Sequence, residues 1–281
     1  METAFIALSS MSGIVCASDT DHTIYQLSQQ QPVVVAVNSY SQIPWDHIIN
    51  TYKRKQESEC RNSIEDYAFD FVKSFPNIMG ISWHNLSPED RKIIFMGYGL
   101  DDLFPSVYEI VIAWNETDNI VEIDNKSITR ISHKNLASIN LLGNLESVST
   151  ILWGATQETK GFLLKKHIEQ FEIYKQRVLE KFKGTEYEEF VKQKLADYDP
   201  KEGFVSVINE ASDSTFSNIQ HGIDSFSIEE MVTAAETIVD AEIRLDHLSS
   251  GHMGPLHSTR ELAVITRVEG LTWIKHSLFA L

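Results

Sequence analysis

Apolar residues near the start of the chain fall into short alternating or continuous runs, and these predict strands. Thr3–Ser9 alternates and Gly13–Ser18 is nearly all apolar. The Ser10-Met11-Ser12 stretch before Gly13 suits a hairpin. Ile24–Ser28 is a short third run, punctuated by Gln29-Gln30-Gln31-Pro32. Val33–Val37 follows, and so many β-branched residues in a row call for burial on both faces. The period then changes. Pro44-Trp45-Asp46 opens a helix whose apolar face carries Trp45, Ile48, Ile49 and Tyr52. A second helix is predicted at about Ser63–Phe75, with Ile64, Tyr67, Ala68, Phe71 and Val72 on one stripe and Pro76 closing it.

Strand patterns resume at Lys92–Tyr98, Ser106–Trp114, Ile120–Asp124 and Ile128–Ser132. Leu145–Trp153 reads as a short helix. Helical patterns cover about Thr159–Phe182 and Thr185–Tyr198, with Gly184 between them. Ser227 and Glu230 form a capping box that starts a helix with Met231, Ala234, Ala235, Ile238, Ala241, Leu245 and Leu248 on one face. Glu261–Arg267 and Leu271–Lys275 form a closing hairpin. Segregated runs of strands and helices argue for an α+β fold with antiparallel sheets. Two sheets packed face to face, with helices on both outer faces, would bury the many two-sided strands. No internal repeat or Gly/Pro-rich linker divides the chain.

The 281 residues suit one large domain or two small ones at roughly 100–200 residues each. Hydrophobic residues at 42% and charged residues at 23% are ordinary for a globular protein. The net charge is −16, a field that repels phosphates, so nucleic acid and anionic membranes are not expected partners. Charge is unevenly spread. Residues 1–154 carry 10 basic and 19 acidic side chains, residues 155–200 carry 9 of each, and residues 201–281 carry 5 and 12. The neutral block is rich in Lys, Glu, Gln and Phe, and its long helix is apolar over much of its circumference. Such a helix is either buried or docks a partner.

Two cysteines cannot build a disulfide framework, which favours a reducing, cytoplasmic compartment. Cys16 sits in an apolar strand and reads as a small core residue; Cys60 lies in a polar turn. The N-terminal stretch lacks basic residues before its apolar part and alternates with Ser, unlike a signal peptide. No run approaches 18 apolar residues. His247, His252 and His257 fall at intervals of five in a Gly-containing loop, a spacing that sets no common face for zinc. Asp101-Asp102 reads as a solvated acidic turn, and the five tryptophans read as packing. No phosphate loop, GxGxxG or GxSxG elbow occurs. No cofactor and no metal are expected.

Thr3-Ala-Phe-Ile-Ala-Leu8 followed by Gly13-Ile-Val-Cys-Ala-Ser-Asp19 resembles the opening of proteasome β-subunits. There a Thr begins the first strand and a G-[IV]-V-x-A-x-D run forms the second. A closer resemblance is to bacterial proteasome-like proteins. It is carried by Ile24–Ser28, Ile43-Pro-Trp-Asp46, Phe95-Met-Gly-Tyr-Gly99, Leu103-Phe-Pro-Ser106, Met253-Gly-Pro255, Ala263-Val-Ile-Thr266 and Gly270–Lys275, in that order. The match spans nearly the whole chain except the neutral block. It implies an N-terminal-nucleophile (Ntn) hydrolase fold, a four-layer αββα sandwich, over a single domain 1–281 with a helical insertion at about 155–200.

In that family the nucleophile is the hydroxyl of an N-terminal Thr. A neutral Thr hydroxyl needs a base, and the free α-amino group serves, with an unperturbed pKa of about 7.7–8.0. A Lys keeps the local field positive, an Asp orients that Lys, and a backbone N–H stabilises the oxyanion. The resemblance maps Thr3 onto the nucleophile and Asp19 onto the orienting carboxylate. Thr23 stands at the Lys position, and no Lys occurs before Lys53. The loop after Asp19 is about a dozen residues shorter than in proteasome β-subunits. The oxyanion Gly should fall near Val37-Asn38-Ser39, where Asn38 could offer its N–H instead. Thr3 also lies behind Met1-Glu2, so a free amine there requires cleavage of the Glu2–Thr3 bond. His22, next to the vacant Lys position, could carry positive charge only below about pH 6.5 unless shifted.

The expectation is therefore a cytoplasmic bacterial protein with a degenerate threonine centre, acting as an assembly or binding subunit. The alternative is an active threonine-dependent peptidase or amidohydrolase using Thr3 after loss of Met1-Glu2, with Asp19 in support. The resemblance further implies a homo-oligomer or proteasome-like assembly, with a protein partner at the helical insertion as a second route to binding.

Overall fold

The computed structural model of the protein describes residues 3–55, 60–75, 83–115, 118, 120–143, 146–154, 157–250 and 258–276. Pro76, Met253-Gly-Pro255, His252 and His257 lie outside them. Two compact units are present: Met1–Val148 with Gln220–Leu281, and Ser149–Ile219.

The first unit is built on two five-stranded antiparallel sheets. Strands β1 (Phe5–Ser10) and β2 (Gly13–Ser18) form the predicted hairpin, pairing from Phe5 with Ser18 to Ser10 with Gly13. Every residue of both strands is buried. Gly13 needs its freedom, because a Cβ there would press on the Ile265 carbonyl at a φ of +154°. β3 (Ile24–Gln26) and β4 (Val33–Val37) follow, and β4 is buried throughout as its β-branched run requires.

Helix α1 (Trp45–Lys55) buries the four apolar residues of its predicted face. Helix α2 (Ile64–Lys73) starts at Ser63, whose hydroxyl accepts the Asp66 N–H while Asp66 accepts the Ser63 N–H. Then come β5 (Lys92–Gly97), β6 (Ser106–Asn115), β7 (Ile120–Arg130) and β8 (Ala137–Leu142). Two strands were expected in place of β7. They are one, because Asn125–Ser127 stay paired to β6, Asp124 is the extra residue at a register shift opposite Val111/Ile112, and all four expose their side chains. No strand is expected at Ala137–Leu142; it forms β8 with the polar Ser138 and Asn140 at buried positions.

Helix α3 (Glu146–Trp153) begins in the first unit and ends in the second, which also holds α4 (Gln157–Phe182), α5 (Glu188–Ala196) and most of α6 (Pro200–Asp224). The pattern does not predict α6, whose Gly203, Gly222 and many Ser and Asp residues lower its helix propensity. Helix α7 (Ile228–Ser250) begins at the predicted capping box, with the Ser227 N–H on Glu230 and the Glu230 N–H on the Ser227 hydroxyl. β9 (Glu261–Thr266) and β10 (Gly270–Lys275) close the chain's first unit.

The strand orders are β10-β9-β2-β1-β8 and β3-β4-β5-β6-β7. One core joins the sheets: Phe5, Ala7, Ile14 and Cys16 pack with Val34, Ala36, Ile94 and Met96. A second core lies on the other face of the second sheet, where Val33, Val35, Phe95 and Ile112 meet Trp45, Ile49, Tyr67 and Phe71 of α1 and α2. Helix α7 packs on β1, β2 and β9. No helix among the described residues is long and apolar enough to cross a membrane.

Candidate functional site

Thr3 immediately precedes β1 and is fully buried. Two features fix its main chain. The Ala4 N–H donates to Asp19 Oδ1 at 2.8 Å, and the Asp19 N–H donates to the Ala4 carbonyl at 3.1 Å. On the other side Gly143, at a φ of +90°, comes so close that a Cβ would strike the Thr3 carbonyl oxygen.

Burial pushes the Asp19 carboxyl up to about 6, against the pull of the Ala4 and Asp19 N–H groups and of Arg260. Arg260 is itself engaged with Asp21 at 2.8 Å. The turn after Asp19 is held by Glu261 at the start of β9. Its buried carboxylate accepts the N–H groups of His22 (3.0 Å), Thr23 (3.1 Å) and Ile24 (2.9 Å). This clamp spans a left-handed residue, His22 at a φ of 61°. The His22 ring faces Asp46 of α1 at 3.5 Å.

The Thr3 hydroxyl contacts Asn38 Oδ1 at 2.9 Å and Ser39 Oγ at 3.0 Å. Ser39 Oγ contacts Thr20 Oγ1 at 2.9 Å, and Thr20 Oγ1 contacts Thr23 Oγ1 at 2.7 Å. Donor counting fixes the direction of this chain. Asn38 Nδ2 must face the Asp90 carboxylate, 3.1 Å away, because a carboxylate only accepts. That leaves Oδ1 toward Thr3, and an amide oxygen also only accepts. The single Thr3 proton therefore goes to Asn38. Ser39 must then donate to Thr3, and Thr20 to Ser39, which leaves Thr20 accepting from Thr23.

The chemical consequence is direct. The Thr3 oxygen donates its proton to an amide, a very weak base, and has one lone pair occupied by the Ser39 hydroxyl. Among the described residues, no Lys, His or carboxylate hydrogen-bonds that hydroxyl. Thr23, expected from the resemblance to stand at a Lys position, is fully buried and supplies a hydroxyl. Asn38 meets Thr3 through its side chain, and its Oδ1 also accepts the Tyr40 N–H at 3.1 Å. Lys92 at the start of β5 is bonded to the Leu141 carbonyl at 2.8 Å and to Glu109 at 3.4 Å.

Of the residues expected from sequence, Thr3 and Asn38 are joined directly, and Asp19 reaches the site through the main chain of Ala4. Thr23 reaches it through Thr20 and Ser39. Thr20, Ser39, Asp90, Gly143 and Glu261 were not foreseen. Asp90 carried a signal, since Ser87-Pro-Glu-Asp90 is a capping-box pattern and Ser87 and Asp90 exchange hydrogen bonds. Glu261 carried another, as a lone acid heading an apolar strand. Cys16 is buried, and its thiol is pushed far up by burial, whereas Cys60 is exposed and near Gln30. No group of three or more His, Cys, Asp or Glu side chains among the described residues is arranged to hold a metal ion. No protein-family model matches the chain, and no curated protein matches it.

Proposed function

We propose that this chain is a proteasome β-like protein of the Ntn-hydrolase superfamily whose threonine centre is catalytically degenerate, and that it acts as an assembly or binding subunit in the bacterial cytoplasm. In this reading the two sheets, with α1 and α2 on one side and α7 on the other, are the four layers of an αββα sandwich. The chain is one such domain, 1–281, with a helical insertion at about 155–200. The supporting observation is the polarity of the hydroxyl chain. Thr3 donates to the Asn38 amide oxygen and accepts from Ser39, so no side chain among the described residues takes its proton.

The competing reading is an active threonine-dependent peptidase or amidohydrolase using Thr3 once Met1-Glu2 is removed. The bond between Asp19 and the Ala4 N–H, one residue from Thr3, favours it. The two separate on labelling. An electrophilic peptide probe incubated with the full-length protein, followed by peptide mass mapping, is expected to leave Thr3 unmodified. A stoichiometric adduct on Thr3 that is absent from Thr3→Ala would establish the active enzyme instead.

A further inference from the structure

The outer face of α4 carries apolar residues that its own unit leaves exposed. The inward face, including His167 and Phe171, packs in the second unit through ring contacts to Phe204 and Tyr198. On the solvent side Phe162, Leu163, Ile173 and Tyr174 are 58%, 44%, 44% and 60% exposed. Each pair is separated by eleven residues, three turns of helix, so the four residues form one stripe about 18 Å long. Between them lies a polar centre in which Lys166 meets Glu169 at 2.7 Å.

This stripe is its own complement. A two-fold axis crossing α4 near residue 168 runs a second α4 antiparallel to the first. Phe162 and Leu163 of one copy then meet Ile173 and Tyr174 of the other at both ends. Lys166 of each copy meets Glu169 and Gln170 of the other at the centre, so the charges match under the same operation that matches the apolar ends. The wider charge distribution points the same way. The flanks of the chain carry all of its −16 and repel a second copy, while residues 155–200 hold 9 basic and 9 acidic side chains.

We infer that the occupant of this stripe is a second copy of the chain, docked α4 against α4 in an isologous antiparallel pair. The inference deepens the assembly half of the proposed function and rests on it; it does not depend on the state of Thr3.

The test is sedimentation velocity on the full-length protein over a concentration series. A concentration-dependent dimer is expected. Ile173→Asp, an exposed position whose helicity is checked by circular dichroism, should leave monomer at concentrations where the wild type is dimeric. Lys166→Glu should weaken the dimer at least tenfold, and Lys166→Glu combined with Glu169→Lys should restore it. A monomer at every concentration would overturn both this inference and the assembly reading. An oligomer indifferent to all three variants would overturn this inference alone and leave the assembly reading standing.

Discussion

Replacing Asp19 with Asn should stabilise the protein at neutral pH and do little in acid. Asp19 accepts the Ala4 N–H through Oδ1, a bond that an Asn oxygen can keep. What the substitution removes is the cost of ionising a buried carboxyl, which burial has raised from 3.8 to about 6. The sign follows from proton linkage. Between these two pKa values the folded protein holds more protons at this site than the unfolded chain, so stability falls as pH rises through the window from about 4 to 6. A shift of that size corresponds to at most about 3 kcal/mol. Asp19 retains some contact with solvent, so we expect roughly 1–2 kcal/mol. Urea denaturation at micromolar protein, at pH 4.0 and pH 7.5, measures it. The Asn variant should unfold at higher urea than wild type at pH 7.5 and at nearly the same urea at pH 4.0. A variant less stable than wild type at pH 7.5, or an effect independent of pH, would refute the reasoning.

Two further outcomes follow from buried groups. Glu261→Ala removes the carboxylate that accepts the buried Thr23 and Ile24 N–H groups, at about 1–3 kcal/mol for each buried donor left unpaired. A loss of about 3–5 kcal/mol is expected in urea denaturation, with Glu261→Gln losing roughly half as much; a loss below 1 kcal/mol for the Ala variant would contradict the clamp. In thiol titration with an aromatic disulfide, the exposed Cys60 should react in the native protein and Cys16 only after denaturation, whereas two fast native thiols would contradict the burial of β2.

Elements with unbroken periodicity were legible in the sequence. The hairpin of Phe5–Ser18, the buried run at Val33–Val37, the helix starting at about Ser63 and the capping box at Ser227 all appear where the pattern puts them. Elements whose buried or paired residues are polar were not. Ser138 and Asn140 hide β8, and Asn140 is paid for by Glu109 at 2.7 Å, a partner 31 residues away in the chain. Asp124–Ser127 breaks the pattern of β7 although Asn125–Ser127 stay paired in the ladder. The site divides in the same way. Thr3, Asp19, Thr23 and Asn38 stand at positions that a motif can mark. The hydroxyl chain cannot be marked so, because Thr20, Ser39 and Asp90 come from separate turns and acquire their roles only when β1, β4 and the segment before β5 converge.

Among the described residues, no side chain at this centre draws the proton from Thr3. The intact mass of the purified full-length protein, beside Thr3→Ala, tests it most directly, because releasing Thr3 from Glu2 in the manner of the family it resembles needs the same activated hydroxyl. Thr3 is expected to stay joined to Glu2, and the two proteins to differ only by the substituted side chain. A wild-type chain beginning at Thr3, with the Ala variant unprocessed, would contradict it.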